Sequence, residues 1–171
     1  MKLDKIEVKI PLAAAAATAQ SAEAAGYHGL WLGEIDREPF LPLALAAEHT
    51  ERIELGTSIA VAFARTPMTL ANAGWDLQGY SAGRFRLGLG SQVQAHIEKR
   101  FSMPWSHPAA RMREFIAALQ AIWDCWQNGT KLDFRGEFYQ HTLMTPFFNP
   151  GPSEFGAPPV FLAAVGELMT E

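Results

Sequence analysis

Ser81-Ala82-Gly83-Arg84-Phe85-Arg86-Leu87-Gly88-Leu89-Gly90-Ser91 reads as the end of a helix, a short buried strand and a tight glycine turn. Gly83 supplies the left-handed residue that stops a helix. Phe85, Leu87 and Leu89 make the strand. Gly88 and Gly90 leave its carboxyl end without Cβ atoms, so that a flat ring or an anionic group can approach the backbone. The pair falls short of a dinucleotide fingerprint, because Val93 stands where the third glycine belongs. A strand entered from a helix is one step of a strand–helix alternation, and the step recurs on both sides.

Upstream, Lys5 to Ile10 alternates polar and apolar residues with period two, as a strand does. Ala13 to Ala25 is rich in the best helix former and closes on Gly26. His28 to Gly33 is a short apolar run between glycines, the mark of a strand covered on both faces. Phe40, Leu43, Ala44 and Ala47 keep helical spacing up to Thr50, and Arg52 to Val61 gives a third strand. Pro67 opens a helix lined by Leu70, Ala73, Gly74 and Leu77.

Downstream, Ser91 to His107 is a longer connection, a candidate lid. A helix resumes at Pro108, capped by Ser106 and striped with Phe115, Leu119, Ile122 and Trp126, and Asn128-Gly129 ends it. Leu132 to Phe148 reads as a strand pair or loop around Gly136. Pro158 to Ala164 supplies a fifth buried strand, and Gly166-Glu167-Leu168 would begin the next helix. Apolar strands alternating with helices imply a parallel sheet with helices outside, joined by right-handed crossovers. Both an open doubly wound sheet and part of a barrel satisfy that pattern. About five strands cannot close a (β/α)8 barrel, which takes about 250 residues.

The 171 residues are expected to form a single domain, and the net charge of −4 carries no basic block. Nucleic acid and anionic membrane surfaces are therefore poor partners, and a small molecule or another protein chain is the expected one. Cys125 is the sole cysteine, set in a helical stretch, so it reads as an inert thiol. Pro11-Leu12 and the alanines that follow mimic a secretory h-region, but Asp4 and Glu7 count against cleavage, and the segment is kept as mature protein. No run reaches the roughly 20 apolar residues of a membrane span, so the expectation is a cytoplasmic protein.

Groups at the carboxyl ends of parallel strands line the ligand crevice. Here those are Gly33 and Glu34 after the second strand, Thr57, Ser58 and Ile59 in the third, and Gly90, Ser91 and Gln92 after the fourth. Glu34 is the candidate acid, base or orienting group, partly desolvated by Trp31. Its bland reading is a solvated turn in which Glu34, Asp36, Arg37 and Glu38 pair locally. His28 and His49 read as structural residues at helix ends. His96 with Glu98 lacks the spacing of a helical metal site, no cysteine–histidine cluster exists, and Ser58 and Ser91 have no triad partners.

Six stretches taken in order resemble the bacterial luciferase-like monooxygenases, most closely their deazaflavin-dependent (coenzyme F-420) branch. They are Ala22 to Glu34, Arg52 to Ile59, Arg65-Thr66-Pro67, Gly83 to Ser91, Phe134 to Tyr139 and Pro158 to Ala163. The resemblance implies a (β/α)8 barrel that carries reduced FMN or the deazaflavin at the carboxyl ends of its strands. It places Gly33 and Glu34 at a cofactor-facing pair that often includes a histidine, and Thr57-Ser58-Ile59 at a third-strand bulge with a cis peptide at Ser58–Ile59. Gly88, Gly90, Ser91 and Gln92, read from their place at the end of the fourth strand, complete the candidate cofactor contacts.

Relatives of this kind are about twice as long, so the chain corresponds to the first half of such a barrel, truncated after the fifth strand. The function implied is a flavin- or deazaflavin-dependent oxidoreductase or monooxygenase acting on a small organic substrate. The alternative is a catalytically silent half-barrel that survives by self-association. Either way a homodimer or higher homo-oligomer is expected, since the half-barrel would leave open edge strands and a concave face lined by Leu30, Leu32, Leu55 and Leu87.

Overall fold

The computed structural model describes residues 3–164 and Met169, so the helix expected at Gly166-Glu167-Leu168 lies outside the described residues. Strand β1 (Leu3–Val8) leads through a short 3-10 turn to α1 (Ala15–Ala24), then β2 (Tyr27–Leu32), α2 (Phe40–Glu48), β3 (Glu54–Thr57) and β4 (Ala60–Val61). Then follow α3 (Pro67–Tyr80), β5 (Phe85–Gly90), α4 (Gln94–Lys99), α5 (Pro108–Asn128), the hairpin β6 (Phe134–Arg135) and β7 (Gln140–His141), and β8 (Val160–Leu162). The main sheet runs β1-β2-β3-β5-β4, with β8 also on β5, and all its pairs are parallel. No helix of the described residues is long and apolar enough to cross a membrane.

The alternation expected from the sequence is present, with instructive departures. Arg52 to Val61 is two strands rather than one, because the chain bulges at Ser58 and Ile59 between β3 and β4, and the peptide between those residues is cis. His28 lies within β2 instead of beside a helix end. Helix α5 starts after His107, at left-handed φ 37°, with Pro108 in its first turn, so Ser106 is one residue too early to cap it. The connection from Ser91 to His107 contains α4 and is packed down, Ile97 being fully buried. Cys125 is buried on α5.

Register decides which side chains meet the helices. Leu30 stands beside Leu55 and Leu55 beside Phe85, whereas Trp31 stands beside Gly56 and Gly56 beside Arg86. Because side chains alternate across a strand, the first row lies on one face and the second on the other. Leu30, Leu32, Leu55 and Leu87 all belong to the buried core with the helices. The expectation that these leucines line an open concave face is therefore corrected.

The opposite face carries Trp31, whose indole lies across Gly56: a Cβ there would come within 2.7 Å of the ring. Phe161 meets Trp31 edge-on at 5.6 Å, Lys5 Nζ sits 4.5 Å over the indole, and Arg86 pairs with Glu54 at 2.8 Å. Trp31 Nε1 is buried and has no hydrogen-bond partner among the described residues.

Arg84 locks the helix layer to the sheet. Its Nη2 donates to the Ala47 and Thr50 carbonyls at 3.0 Å each, Nη1 donates to Thr50 Oγ1 and the Ile53 carbonyl, and Nε donates to the Ser81 carbonyl at 2.7 Å. One guanidinium thus satisfies carbonyls left open at the ends of α2 and α3. Glu23 does the complementary work, accepting the N–H groups of Glu51, Arg52 and Ile53. Burial raises its pKa, yet those three donors and the Arg52 charge hold it below the usual carboxylate range. Replacing Arg84 with Met, which keeps the stem and deletes the donors, is expected to cost about 2–3 kcal/mol. Urea unfolding followed by circular dichroism measures it.

Candidate functional site

Three strand ends converge on the bulge. Ser58 N–H donates to the Leu32 carbonyl at 2.8 Å, tying the bulge to the end of β2, and Glu34 N–H donates to the Ile59 carbonyl at 3.1 Å. The end of β5 lies underneath: Thr57 Oγ1 donates to the Gly88 carbonyl at 2.7 Å and accepts from Gly88 N–H at 2.9 Å. Gly33, Glu34, Thr57, Ser58, Ile59, Gly88 and Gly90 are thereby brought to one end of the sheet. Ser91 and Gln92 leave from the same point, Ser91 Oγ donating to the Gln92 carbonyl and Gln92 holding a left-handed φ of 62°.

The glycines serve a different purpose from the one expected. A Cβ on Gly88 would stand 1.9 Å from the Thr57 carbonyl oxygen, and one on Gly90 would stand 2.8 Å from the side chain of Ile59. The space left by the missing side chains is filled by the bulge, not left open for a ligand. Gly88 and Gly90 form the seat, and Ser58 and Ile59, both half-buried, form the surface above it.

Glu34 is 8% exposed and its charge is matched inside the protein. Oε2 accepts from Arg65 Nη1 at 2.6 Å and from Val61 N–H at 2.8 Å. Trp31, expected to shield it, lies instead on the sheet face with Gly56. Neither do its neighbours pair with it: Asp36 pairs with Lys9 at 2.9 Å, and Glu38 accepts the N–H groups of Phe40 and Leu41 at the start of α2. The sequence did not mark Arg65 or Val61 as partners of Glu34, because both contacts join residues about 30 apart in the chain.

A second cluster covers this end. The short 3-10 turn Ala62–Ala64 joins β4 to α3, and its Phe63 is fully buried. Trp105 meets Phe63 edge-on at 5.7 Å, and the Arg111 guanidinium lies 4.4 Å over the same ring. Arg111 also donates to Tyr139 Oη at 2.8 Å and to the Pro104 carbonyl at 2.6 Å. Burial pushes the Tyr139 phenol up, and the adjacent Arg111 opposes that rise. One turn along α5, Glu114 accepts the N–H groups of Glu137, Phe138 and Tyr139, and Gly136 leaves the room its carboxylate occupies.

Comparison with known proteins bears on the family and the fold. The model of the luciferase-like monooxygenase family matches residues 3–171. The Mycobacterium tuberculosis protein Rv1360 is 63% identical over 169 residues, which are 98% of this chain and 50% of that protein. The oxygenase component of the flavin-dependent trigonelline monooxygenase of Acinetobacter baylyi is 30% identical over 85% of this chain and 41% of its own length. Among solved structures, the coenzyme F-420-dependent tetrahydromethanopterin reductase of Methanopyrus kandleri superposes with a TM-score of 0.76 at 20% identity, over 98% of this chain and 51% of that one. The chain thus spans about half the length of the proteins it matches, and the fold expected, a parallel α/β sheet equivalent to half of such a barrel, is the one observed.

The two glycines should differ in tolerance. Gly88→Ala drives a Cβ into a backbone oxygen and is expected to cost at least about 3 kcal/mol. Gly90→Ala meets only the flexible end of Ile59 and is expected to cost about 1 kcal/mol. Denaturant midpoints of the two variants against the parent check the order.

Proposed function

Because the chain belongs to the luciferase-like monooxygenase family, we propose that it is part of a flavin- or deazaflavin-dependent oxidoreductase. Its strand-end bulge would be the surface against which the cofactor ring lies. The observation that carries this reading is the convergence of three strand ends on Ser58 and Ile59, where parallel α/β proteins place their ligands. FMN or coenzyme F-420 would supply hydride transfer or oxygen activation toward a small organic substrate.

The residues present fit a planar ring. Ile59 offers an apolar flank over Gly90, Ser58 and Ser91 offer hydroxyls, and Gln92 offers an amide at the same end. Gly33 and Thr57 hold the edges of this surface. Arg65 is occupied by Glu34 and is not the group that would take a phosphate. Glu34, the candidate catalytic group, would act through Oε1, since Oε2 is committed to Arg65 and Val61. From there it would accept a hydrogen bond from cofactor or substrate, while Arg65 and Val61 N–H hold Oε2 in place.

A silent half-barrel that self-associates is the competing reading, and the exposed Leu41 and Phe161 favour it, as apolar surface that a covering chain would bury. Self-association is proposed under both readings. Helix α2 is apolar up to Glu48 at its end, with Leu41 62% exposed beside a groove of about 480 Å³ lined by Phe40, Ala44, Ala73, Asp76, Leu77 and Tyr80.

Two measurements separate the readings. Titration with FMN and with coenzyme F-420, followed by fluorescence, should show saturable binding of one of them. Since main-chain bonds hold the bulge, Ser58→Ala should weaken that binding while changing stability by less than about 0.5 kcal/mol. Glu34→Gln should reduce turnover, and by leaving Arg65 without a countercharge it should also cost about 2–3 kcal/mol of stability. A colourless chain that binds neither cofactor supports the silent reading.

Sedimentation at micromolar concentration should show a dimer that Leu41→Glu drives toward monomer. A well-behaved monomeric parent would refute self-association.

A further inference from the structure

The Arg111 guanidinium is buried, the residue being 6% exposed, yet among the described residues it meets no carboxylate. A buried cation without an ionic partner is costly unless several neutral groups hold it. Here the Tyr139 hydroxyl, the Pro104 carbonyl and the faces of Phe63 and Tyr139 do so. An apolar residue could fill this space without that cost, so the charge calls for a reason in what it holds.

The decisive contact is Phe63. The two groups that bind Glu34 Oε2 are Val61 N–H and Arg65, and Phe63 is the residue midway between them. Residues 62–64 make a single 3-10 turn closed by one main-chain bond, from Arg65 N–H to the Ala62 carbonyl at 3.0 Å. So short a turn has little rigidity of its own. Val61 is held at one side by its pairing with Gly90 of β5, and the rest of the turn is placed by what packs on the buried Phe63, which includes Arg111 over the ring face and Trp105 against it. Arg111 also secures Trp105, because it holds the carbonyl of the preceding residue, Pro104.

We propose that Arg111 is a positioning residue for Glu34. From the first turn of α5 it fixes the 62–64 turn, and through it sets the spacing of the two donors that orient the Glu34 carboxylate. Its hold on Tyr139 joins the β6–β7 hairpin to the same point, but Glu114 anchors that hairpin independently. The functional consequence rests on the reading of the strand ends as a cofactor site. The positioning itself does not.

Hydrogen exchange resolved at single amides tests both. In Arg111→Met, the Val61 and Arg65 amides should exchange at least about tenfold faster, while Phe138 and Tyr139, held by Glu114, change less. Arg111→Lys keeps a cation beside Phe63 but cannot serve both acceptors, so it should fall between parent and Met variant. It carries the test if the Met variant does not fold. Tyr139→Phe, which deletes only the hydroxyl, should leave Val61 and Arg65 as protected as in the parent.

Unchanged exchange at Val61 and Arg65 in both Arg111 variants, or acceleration confined to the hairpin, would overturn the proposal and make Arg111 a hairpin anchor. Where the parent binds FMN or coenzyme F-420, Arg111→Met should also weaken that affinity several-fold with Arg111→Lys partly restoring it. A parent that binds neither defeats the cofactor reading alone, and the Val61 exchange still decides the role of Arg111.

Discussion

A backbone oxygen sits where the side chain of residue 88 would be. The Thr57 carbonyl occupies that space and the Thr57 hydroxyl closes two hydrogen bonds onto the Gly88 peptide, so β3 can end and the chain can bulge without leaving the sheet. Everything at this end is registered from that contact. Ser58 reaches Leu32, Ile59 receives Glu34, β4 resumes beside β5, and Gly90 makes room for Ile59. A bulge re-aims a strand end at the expense of ladder pairing, and such distortions concentrate beside functional surfaces. Here a glycine takes up the distortion.

Charge is used in the same way throughout the chain, as a tie between main-chain groups that helices and strands leave open. Arg84 collects carbonyls from the ends of α2 and α3, Glu23 collects N–H groups before β3, and Glu114 collects those of the hairpin. Glu34 and Arg65 belong to this pattern, with the difference that their pair lies at the strand ends and leaves one carboxylate oxygen uncommitted among the described residues. A buried ion pair adds little net stability once desolvation is counted, so its worth at this place is orientation. Arg111 extends the tie outward to the connection after β5 and to the hairpin.

The two faces of the sheet divide the work. Toward the helices, Leu30, Leu55, Phe85, Leu87 and Leu89 make a fully packed core. Away from them lie an indole on a glycine bed, an ammonium over its ring, an ion pair and an exposed phenyl ring, Phe161 being 46% exposed. That second face is neither a solvated surface nor a fully buried core among the described residues. The proteins this chain superposes with extend to about twice its length.

The sequence by itself determined the order of strands and helices, because periodicity and stop signals are local: Gly83 ends α3 through its positive φ, Pro67 opens it, and Gly129 closes α5. It also determined which residues gather at the strand ends, since parallel strands put all their carboxyl ends on one side. What it left undecided was direction and partnership. That the leucines face the helices and Trp31 the other side depends on pairing register, and a shift of one residue would reverse it. That Gly88 seats a carbonyl, that Glu34 meets Arg65 and that Arg111 grips Phe63 are contacts between residues some 30 to 50 apart in the chain. No local pattern encodes such distances, so only the tertiary structure, by packing β3, β5 and α5 together, could decide them.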